Sequence, residues 1–188
     1  VRITVRQAGG KKDFTSRKVL VDHRCDLALL ALPDALASVP AIPISSHFPQ
    51  LGESVHVIGF PQLGEKICIT KGGMSRCELD EYAQSEWEGI QFGVDAVINP
   101  GNSGGPAVNG HGQLVGVAFQ GADNGQGFVI PSEVLQHFLK DFMRHGVAGY
   151  GSFPSLALKT QEMPSKVVRR SKQLPKGTTG VIIRKVPP

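Results

Sequence analysis

Cysteines are scarce in this sequence. Its 188 residues contain only Cys25, Cys68 and Cys77, and no two of them form the CxxC pair typical of zinc sites. An odd and sparse set also excludes the disulfide-dense scaffold of small secreted domains. We therefore interpret all three as reduced thiols, which favours a reducing intracellular compartment. We expect neither a metal ion nor any other cofactor.

Long apolar runs are also missing. The most apolar stretch, residues 27–44, is interrupted by Pro33, Pro40 and Pro43, whereas a membrane-spanning helix needs about 20 consecutive apolar residues. We therefore expect no stable membrane insertion. The N terminus lacks a signal-peptide pattern. It reads Val-Arg-Ile-Thr-Val-Arg, an alternation typical of a strand already under way, so we expect the chain to be a fragment that has lost any targeting segment.

Aromatic and charged residues are few. Aromatics make up 6% of the chain and charged residues 19%, alongside 23 glycines and 13 prolines. That balance favours short strands joined by turns and excludes a coiled coil. Apolar residues still reach 40%, enough to form a core, which excludes wholesale disorder.

The net charge of +4 is unevenly distributed. Residues 155–188 contain eight Lys or Arg and one acidic residue, so residues 1–154 carry 12 bases against 15 acids. Nucleic-acid binding usually needs basic residues interleaved with aromatics, and the basic C-terminal region has no aromatic after Phe153. We interpret this region as a solvated basic linker and expect no nucleic-acid partner.

Alternating and apolar runs predict a series of short strands. They fall at residues 1–6, 17–21, 27–32, 54–60, 66–70, 90–97, 107–108, 114–120 and 128–130. A further strand-like run falls at residues 180–186. Gly72-Gly73 predicts a turn or bulge, and Asn109-Gly110 predicts a hairpin turn. One helix is expected, capped by Ser132 and ending before Gly146. Many short strands followed by one helix favour a β-barrel or β-sandwich.

The strongest chemical signal is the segment Asn-Pro-Gly-Asn-Ser-Gly-Gly-Pro at residues 99–106. Glycines around Ser103 allow a tight turn that exposes the hydroxyl together with backbone N–H groups. An acyl-transfer enzyme needs such a nucleophile beside donors for a developing oxyanion. The GxSxG spacing also satisfies the α/β-hydrolase elbow, but that elbow requires a helix directly after the serine. Pro106 and Asn109-Gly110 predict a hairpin there instead, so we reject the elbow.

With these residues in view, the chain resembles the Deg/HtrA family of ATP-independent serine proteases, most closely its plant-type eukaryotic branch. The resemblance is carried, in collinear order, by residues 25–30 (CDLALL), 57–61 (VIGFP), 93–106 (GVDAVINPGNSGGP), 115–120 (VGVAFQ) and 127–131 (GFVIP). It implies an all-β, chymotrypsin-like double β-barrel, with the N-terminal barrel incomplete here, followed by a C-terminal helix and a PDZ domain.

The resemblance also implies a domain division and catalytic roles. We expect the protease domain in residues 1–150 and a linker with the start of a PDZ domain in residues 151–188. Ser103 corresponds to the nucleophile and Asp26 to the acid that orients the catalytic histidine. The oxyanion hole corresponds to the backbone N–H groups of Gly101, Asn102 and Ser103.

Substrate-binding residues are implied in the same way. The edge that pairs with an extended substrate chain corresponds to Ala118, Phe119 and Gln120. Val97 and Ile98 correspond to the floor and wall of the primary specificity pocket, to which Gln120 and Gln126 add polarity. Aliphatic residues at these positions favour small apolar side chains before the scissile bond.

No histidine of the chain corresponds to the catalytic base. In the family, the histidine lies about thirty residues before the aspartate, and thirty residues before Asp26 falls upstream of Val1. His23 belongs to the same local segment as Asp26. His56 would reproduce the subtilisin order Asp–His–Ser, but the rest of the subtilisin pattern is absent. Either the base precedes this chain or the protein is an inactive relative, and the retention of both Asp26 and Ser103 favours the first.

The resemblance therefore implies a serine endopeptidase that degrades unfolded or damaged proteins and acts on peptide substrates as a homotrimer or larger homo-oligomer. The alternative is a proteolytically inactive scaffold that binds peptides without cutting them. The plant-type branch occurs in chloroplast, mitochondrion and nucleus, and the sequence does not distinguish these compartments.

Overall fold

The computed structural model describes residues 2–61, 66–82, 84–85, 87–121, 125–154, 159–162, 166–175 and 177–185. Its strands are β1 (Ile3–Arg6), β2 (Asp13–Ser16), β3 (Lys18–Asp22), β4 (Leu27–Leu30), β5 (Ser54–Gly59), β6 (Cys68–Glu81), β7 (Glu88–Val94), β8 (Pro106–Asn109), β9 (Leu114–Gly121), β10 (Gly127–Pro131), β11 (Lys159–Glu162) and β12 (Val181–Lys185). The helices are α1 (Ser132–Gly149) and α2 (Lys166–Ser171), and a 3-10 turn spans Asp34–Leu36.

The chain divides into two compact units, Val1–Ser152 and Phe153–Pro188. Most of the first unit is a closed barrel of six antiparallel strands in the order β10-β7-β6-β5-β8-β9. Alternation along each strand turns every second side chain into the barrel, as β5 shows with Val55 and Val57 fully buried. The barrel core is built mainly from Val55, Val57, Phe92, Val94, Val115, Ala118 and Val129.

Two separate hairpins, β1–β2 and β3–β4, precede the barrel. The predicted strands at 1–6, 17–21 and 27–32 correspond to β1, β3 and β4, whereas β2 was not predicted. β2 has the sequence Asp-Phe-Thr-Ser, which carries a single large apolar residue and therefore no alternation that a sequence pattern can reveal. β2 is a strand because it pairs with β1, from Ile3 opposite Ser16 to Arg6 opposite Asp13.

The prediction of a turn or bulge at Gly72-Gly73 is wrong. Both glycines lie inside β6, opposite Val55 and Ser54 of β5. Their lack of side chains has a packing cause: a Cβ at Gly72 would come within 2.6 Å of the Ala96 backbone nitrogen. Gly72 therefore lets the segment after β7 cross β6 at close range.

The helix was predicted correctly in kind but not at its ends. α1 runs to Gly149, with left-handed backbone at Gly146 (φ +65°) inside it rather than beyond it. The predicted cap, Ser132, is the first helical residue; Pro131 occupies the N-cap, and no side chain caps the helix. The buried residues Val134 and Phe138 turn inward, because α1 packs against β9 and β10.

In the second unit, β11 and β12 pair antiparallel, with Gln161 opposite Ile182, and α2 lies between them in the chain. The predicted run at 180–186 contains β12, and its last residue lies outside the described residues. Among the helices described, none is long and apolar enough to cross a membrane.

Candidate active site

Ser103 lies in the loop that joins β7 to β8. The Gly104 amide donates to the Ala118 carbonyl (2.7 Å), and the Ala118 amide donates to the Gly105 carbonyl (2.9 Å). These two bonds hold the loop against β9. The Ser103 hydroxyl donates to the Phe119 carbonyl at 3.1 Å and is exposed to solvent. The serine oxygen is therefore fixed at the edge of a barrel strand and open to a ligand.

The glycines of this loop give it its sharp path. Gly101 and Gly104 have φ of +100° and +85°, a region that residues with a Cβ rarely enter. A hairpin, β8–β9, follows the serine directly, as Pro106 and Asn109-Gly110 predicted. The loop therefore lacks the helix that an α/β-hydrolase elbow requires.

The amides on either side of Asn102 are available to a ligand. The Asn102 amide donates to the Asn99 carbonyl and the Gly105 amide to the Asn102 carbonyl, both at 2.9 Å. Within the described part of the chain, the amides of Gly101 and Ser103 donate to no protein acceptor. Of the three donors expected for an oxyanion hole, Gly101 and Ser103 are thus open, whereas that of Asn102 is engaged.

The Asn102 side chain is fully buried beneath the loop. Neither its Oδ1 nor its Nδ2 atom has a hydrogen-bond partner among the described residues. Gly59, the last residue of β5, permits this close packing, since a Cβ there would lie 2.5 Å from Asn102 Oδ1 and 2.8 Å from its Cα. Gly59 thus sets the depth of the Ser103 loop.

Asp26 lies in the tight turn between β3 and β4, which is closed by the pair Asp22 and Leu27. Its backbone is left-handed (φ +54°), a conformation that only a few non-glycine residue types, Asp and Asn among them, tolerate well. The residue is exposed, but partial desolvation of its carboxyl raises the pKa of Asp26, and the charge of His23 opposes that rise. The carboxylate accepts no hydrogen bond from any residue that the structure describes.

Tyr82 connects the turn of Asp26 with the strand of Ser103. Its ring is fully buried and lies 4.9 Å from the Phe119 ring, and Phe119 provides the carbonyl to which Ser103 bonds. Burial raises the pKa of the Tyr82 hydroxyl, with added contributions from Cys25 and Asp26, so Tyr82 lies within electrostatic range of the turn. The hydroxyl itself donates to the Ile90 carbonyl at 2.6 Å.

A second contact joins the same two regions. The Ser85 hydroxyl, in the connection from β6 to β7, donates to the Arg24 carbonyl at 2.8 Å. Cys25, which lies between Arg24 and Asp26 in the chain, is fully buried. Burial, together with the charge of Asp22, raises the pKa of its thiol to about 12. Cys25 is therefore a protonated, packed thiol rather than a nucleophile.

The two histidines considered for the base do not reach the serine or the acid through a hydrogen bond. His56 lies in the middle of β5, opposite Lys71 and Val108. His23 lies in the turn of Asp26 and is exposed. The one described hydrogen bond of the Ser103 side chain goes to Phe119.

The predicted substrate edge is the end of β9. Between β9 and β10 the register shifts: Gln120 lies opposite Phe128, and Ala118 lies opposite Val129. Phe119 is thus the extra residue of a β-bulge. Ala118 is fully buried, and Phe119 directs its ring toward Tyr82. Since β8 stops opposite Val117, the backbone beyond Ala118 has no β8 partner and lies next to Ser103.

The residues predicted for the specificity pocket differ in exposure and in contacts. Ile98 is 7% exposed and fills the space beside two glycines, since a Cβ at Gly127 would lie 2.5 Å from Ile98 Cγ1 and one at Gly121 would lie 2.6 Å from the Ile98 carbonyl oxygen. Val97 is 47% exposed. The Gln126 side chain donates to the hydroxyl of Ser75 in β6 at 3.0 Å.

Sequence reasoning missed three residues of the site. Asp22 is 5% exposed and its carboxylate accepts hydrogen bonds from the Tyr150 hydroxyl (2.6 Å), the Ser152 hydroxyl (2.5 Å) and the Arg24 amide (2.9 Å). Burial opposes ionisation of Asp22, but these hydrogen bonds outweigh it and lower its pKa. In the sequence, Asp22 is recognisable only as a second acidic residue shortly before the CDLALL segment. No local pattern connects it to Tyr150 or Ser152.

The trypsin-like peptidase domain matches residues 2–117. Protease Do-like 2, chloroplastic, of Arabidopsis thaliana is 35% identical over 192 residues, covering 100% of this chain and 31% of that protein. Protease Do-like 4, mitochondrial, of the same plant is 36% identical over 190 residues, covering 99% of this chain and 36% of that protein. The chain thus spans about a third of the length of these relatives.

Among solved structures, the HtrA-type protease AlgW with a decapeptide superimposes with a TM-score of 0.71 at 25% identity, covering 98% of this chain and 56% of that one. Together with the matched domain, this shows that the chain belongs to the trypsin-like peptidases and has their chymotrypsin-like fold. Within that class it is a member of the Deg/HtrA family of serine proteases, which confirms the resemblance drawn from its motifs.

Proposed function

We propose that this chain supplies the nucleophile Ser103 and the acid Asp26 of an ATP-independent serine endopeptidase, whose catalytic histidine precedes Val1 in the full-length protein. The observation that carries the proposal is the Ser103 loop, where an exposed hydroxyl is flanked by two amides that have no acceptor among the described residues. Such a pair of donors stabilises the oxyanion formed when a serine attacks a carbonyl carbon.

The environment of Asp26 supports its assignment as the acid. Its carboxylate is exposed, has no hydrogen-bond donor among the described residues, and has a pKa that partial desolvation raises. A nearby imidazolium would remove this penalty, because an opposite charge favours the ionised form. The relatives are named as proteases, and each is about three times as long as this chain, which leaves ample sequence for the base outside it.

In the proposed reaction the histidine takes the Ser103 proton as the serine oxygen attacks the peptide carbonyl. The amides of Gly101 and Ser103 bind the resulting oxyanion, and Asp26 stabilises the imidazolium. The edge of β9 beyond Ala118, which has no partner in β8, binds the substrate as an added antiparallel strand. Such pairing requires an extended chain, which favours unfolded or damaged proteins and peptides as substrates.

We propose that Ile98 and Val97 restrict the primary pocket to small apolar side chains, because Ile98 already fills the space beside Gly121 and Gly127. We further infer that the second unit begins a PDZ domain and that the protein forms homotrimers or larger assemblies. An intracellular, reducing compartment is supported by the three free thiols and by the chloroplastic and mitochondrial names of the relatives.

The test is casein cleavage by the full-length protein, with Ser103→Ala and Asp26→Asn variants as controls. We expect cleavage by the wild type, loss of several orders of magnitude in Ser103→Ala, and a loss of about 10⁴-fold in Asp26→Asn. Peptide binding without cleavage in the wild type, with Ser103 still exposed, would favour the inactive scaffold.

A further inference from the structure

We propose that Asp22 is a positioning residue for Asp26: its buried carboxylate, held by the Tyr150 and Ser152 hydroxyls, fixes the turn that presents the catalytic acid. The proposal rests on the proposed function, since it assigns Asp26 as the acid. Asp22 itself faces away from solvent at 5% exposure and is therefore not in a position to meet a substrate.

Asp22 organises the turn from inside. One of its oxygens, Oδ1, accepts the Arg24 amide at 2.9 Å, an Asx-type bond that stabilises the start of a tight turn. Its carbonyl lies 3.9 Å from the Cys25 sulfur, which donates to it. Its Cα pairs with Leu27, the first residue of β4. Asp22 thus contacts or pairs with three of the next five residues, namely Arg24, Cys25 and Leu27. Asp26 lies between the last two of these in the chain.

The turn needs such support because Asp26 has left-handed backbone (φ +54°). A residue in a sparsely populated conformation keeps it only when its surroundings determine it strongly. Asp26 itself accepts no hydrogen bond from the described residues, so its side chain does not hold its own orientation. The fixation must come from its neighbours in the turn, where Asp22 bonds to both Arg24 and Cys25.

The other oxygen of Asp22, Oδ2, is bound from a distant part of the chain. The Tyr150 and Ser152 hydroxyls both donate to it, at 2.6 and 2.5 Å. Hydrogen bonds to an ionised acceptor are about twice as strong as neutral ones. The buried charge is therefore well satisfied, and any departure of the turn from this position would break two such bonds at once.

The two hydroxyls are themselves held by α1. The Gly151 amide, between them, donates to Asp141 at 2.7 Å, and the Tyr150 ring packs edge-on against Phe138 with centroids 5.5 Å apart. α1 in turn packs on β9, the strand that bonds Ser103. Through Asp22 and α1, the turn that carries Asp26 is therefore positioned relative to β9, the same strand that holds Ser103.

Two variants of the full-length protein test the proposal. Tyr150→Phe combined with Ser152→Ala removes both donors to Oδ2 and keeps the Tyr150 ring on Phe138; Asp22→Asn keeps the shape of the acceptor and removes its charge. We expect each to lower kcat about tenfold with KM nearly unchanged, because small misplacement of a catalytic group is costly while substrate contacts remain.

A pH profile separates positioning from general weakening of the fold. A carboxylate beside the histidine raises the histidine pKa. If Asp26 loses its fixed position, the acid limb of kcat/KM should move to lower pH, by about 0.5 unit or more. Loss of folded protein would reduce the amplitude of the profile and leave its midpoint in place.

Asp13→Asn is the matched control, because it removes a hydrogen-bonded carboxylate of the separate β1–β2 hairpin, where Asp13 accepts a bond from Arg6 at 2.6 Å, without touching Asp22. We expect its kcat and its acid limb to stay within about twofold and 0.2 unit of the wild type. An Asp13→Asn effect equal to that of Asp22→Asn, or unchanged kcat and midpoint in both Asp22-site variants, would overturn the proposal. An inactive wild type would instead contradict the proposed function.

Discussion

Asp22 and Asp26 lie four residues apart, and the structure predicts that the same substitution has opposite effects on stability at the two positions. Asp22 is buried with three hydrogen bonds to its carboxylate, whereas Asp26 is exposed and accepts none from the described residues. We therefore expect Asp22→Asn to lower the free energy of unfolding of this chain and Asp26→Asn to raise it.

The magnitudes follow from what each substitution removes. Asn at position 22 can still accept the Arg24 amide but meets two hydroxyls with a neutral amide group, so we expect a loss of about 2 kcal/mol, the usual value for a hydrogen bond to a charged group. Asn at position 26 fits left-handed backbone as well as Asp does. It removes a partly screened charge, so the gain should not exceed about 0.5 kcal/mol.

The effects of both substitutions on stability depend on pH. The folded-state pKa of Asp22 is lowered, so its stabilisation is present above the unfolded pKa of about 3.9 and is lost as pH falls through the folded value. The folded-state pKa of Asp26 is raised, so its ionised form destabilises the fold above that raised pKa. Below both pKa values the aspartate is neutral, as is the asparagine that replaces it. The difference in the free energy of unfolding between wild type and variant should therefore shrink at both positions.

Urea unfolding followed by the fluorescence of Trp87, the only tryptophan, measures these differences at pH 7 and pH 3. Trp87 packs edge-on against Tyr82, with centroids 5.3 Å apart, and so reports on the site. The reasoning is refuted if Asp22→Asn is neutral at pH 7, or if both substitutions shift the midpoint in the same direction.

Three further predictions concern the barrel side of the site. Gly59→Ala should slow labelling of Ser103 in the full-length protein by about 100-fold, because the new Cβ would lie 2.5 Å from Asn102 Oδ1; Gly110→Ala, whose Cβ would meet nothing within 4 Å, is the control. Tyr82→Phe leaves the Ile90 carbonyl without its 2.6 Å donor and should cost about 1–2 kcal/mol in urea unfolding; an unchanged midpoint would contradict the contact. Ile98→Ala should shift cleavage of a peptide library toward larger apolar residues by about tenfold; an unchanged preference would exclude Ile98 from the pocket.

The barrel was predictable because its signals are local. Alternation of apolar residues marks β5 and β9, and Asn109-Gly110 marks the turn between β8 and β9. The Ser103 loop was predictable for the same reason, since its glycines and the serine are adjacent in the chain. The family resemblance then assigned Asp26, whose own surroundings carry no pattern.

The remainder depends on distant contacts. Tyr150 and Ser152 meet Asp22 across 128 and 130 residues, and no periodicity in the sequence connects them. Gly72 was misjudged because glycine marks a close approach of another segment as readily as a turn. The Gln126 amide bonds to the hydroxyl of Ser75 in β6 across 51 residues, a contact that no local pattern predicts.

The most direct test of the central claim is fluorophosphonate labelling of the full-length protein, with the labelled residue located by mass spectrometry, beside the 188-residue chain alone. The account predicts a single adduct on Ser103 in the full-length protein and none on the isolated chain, because the serine, its amides and Asp26 are present here while the base is not. Labelling of another residue, or no labelling of a folded full-length protein with Ser103 accessible, would contradict it.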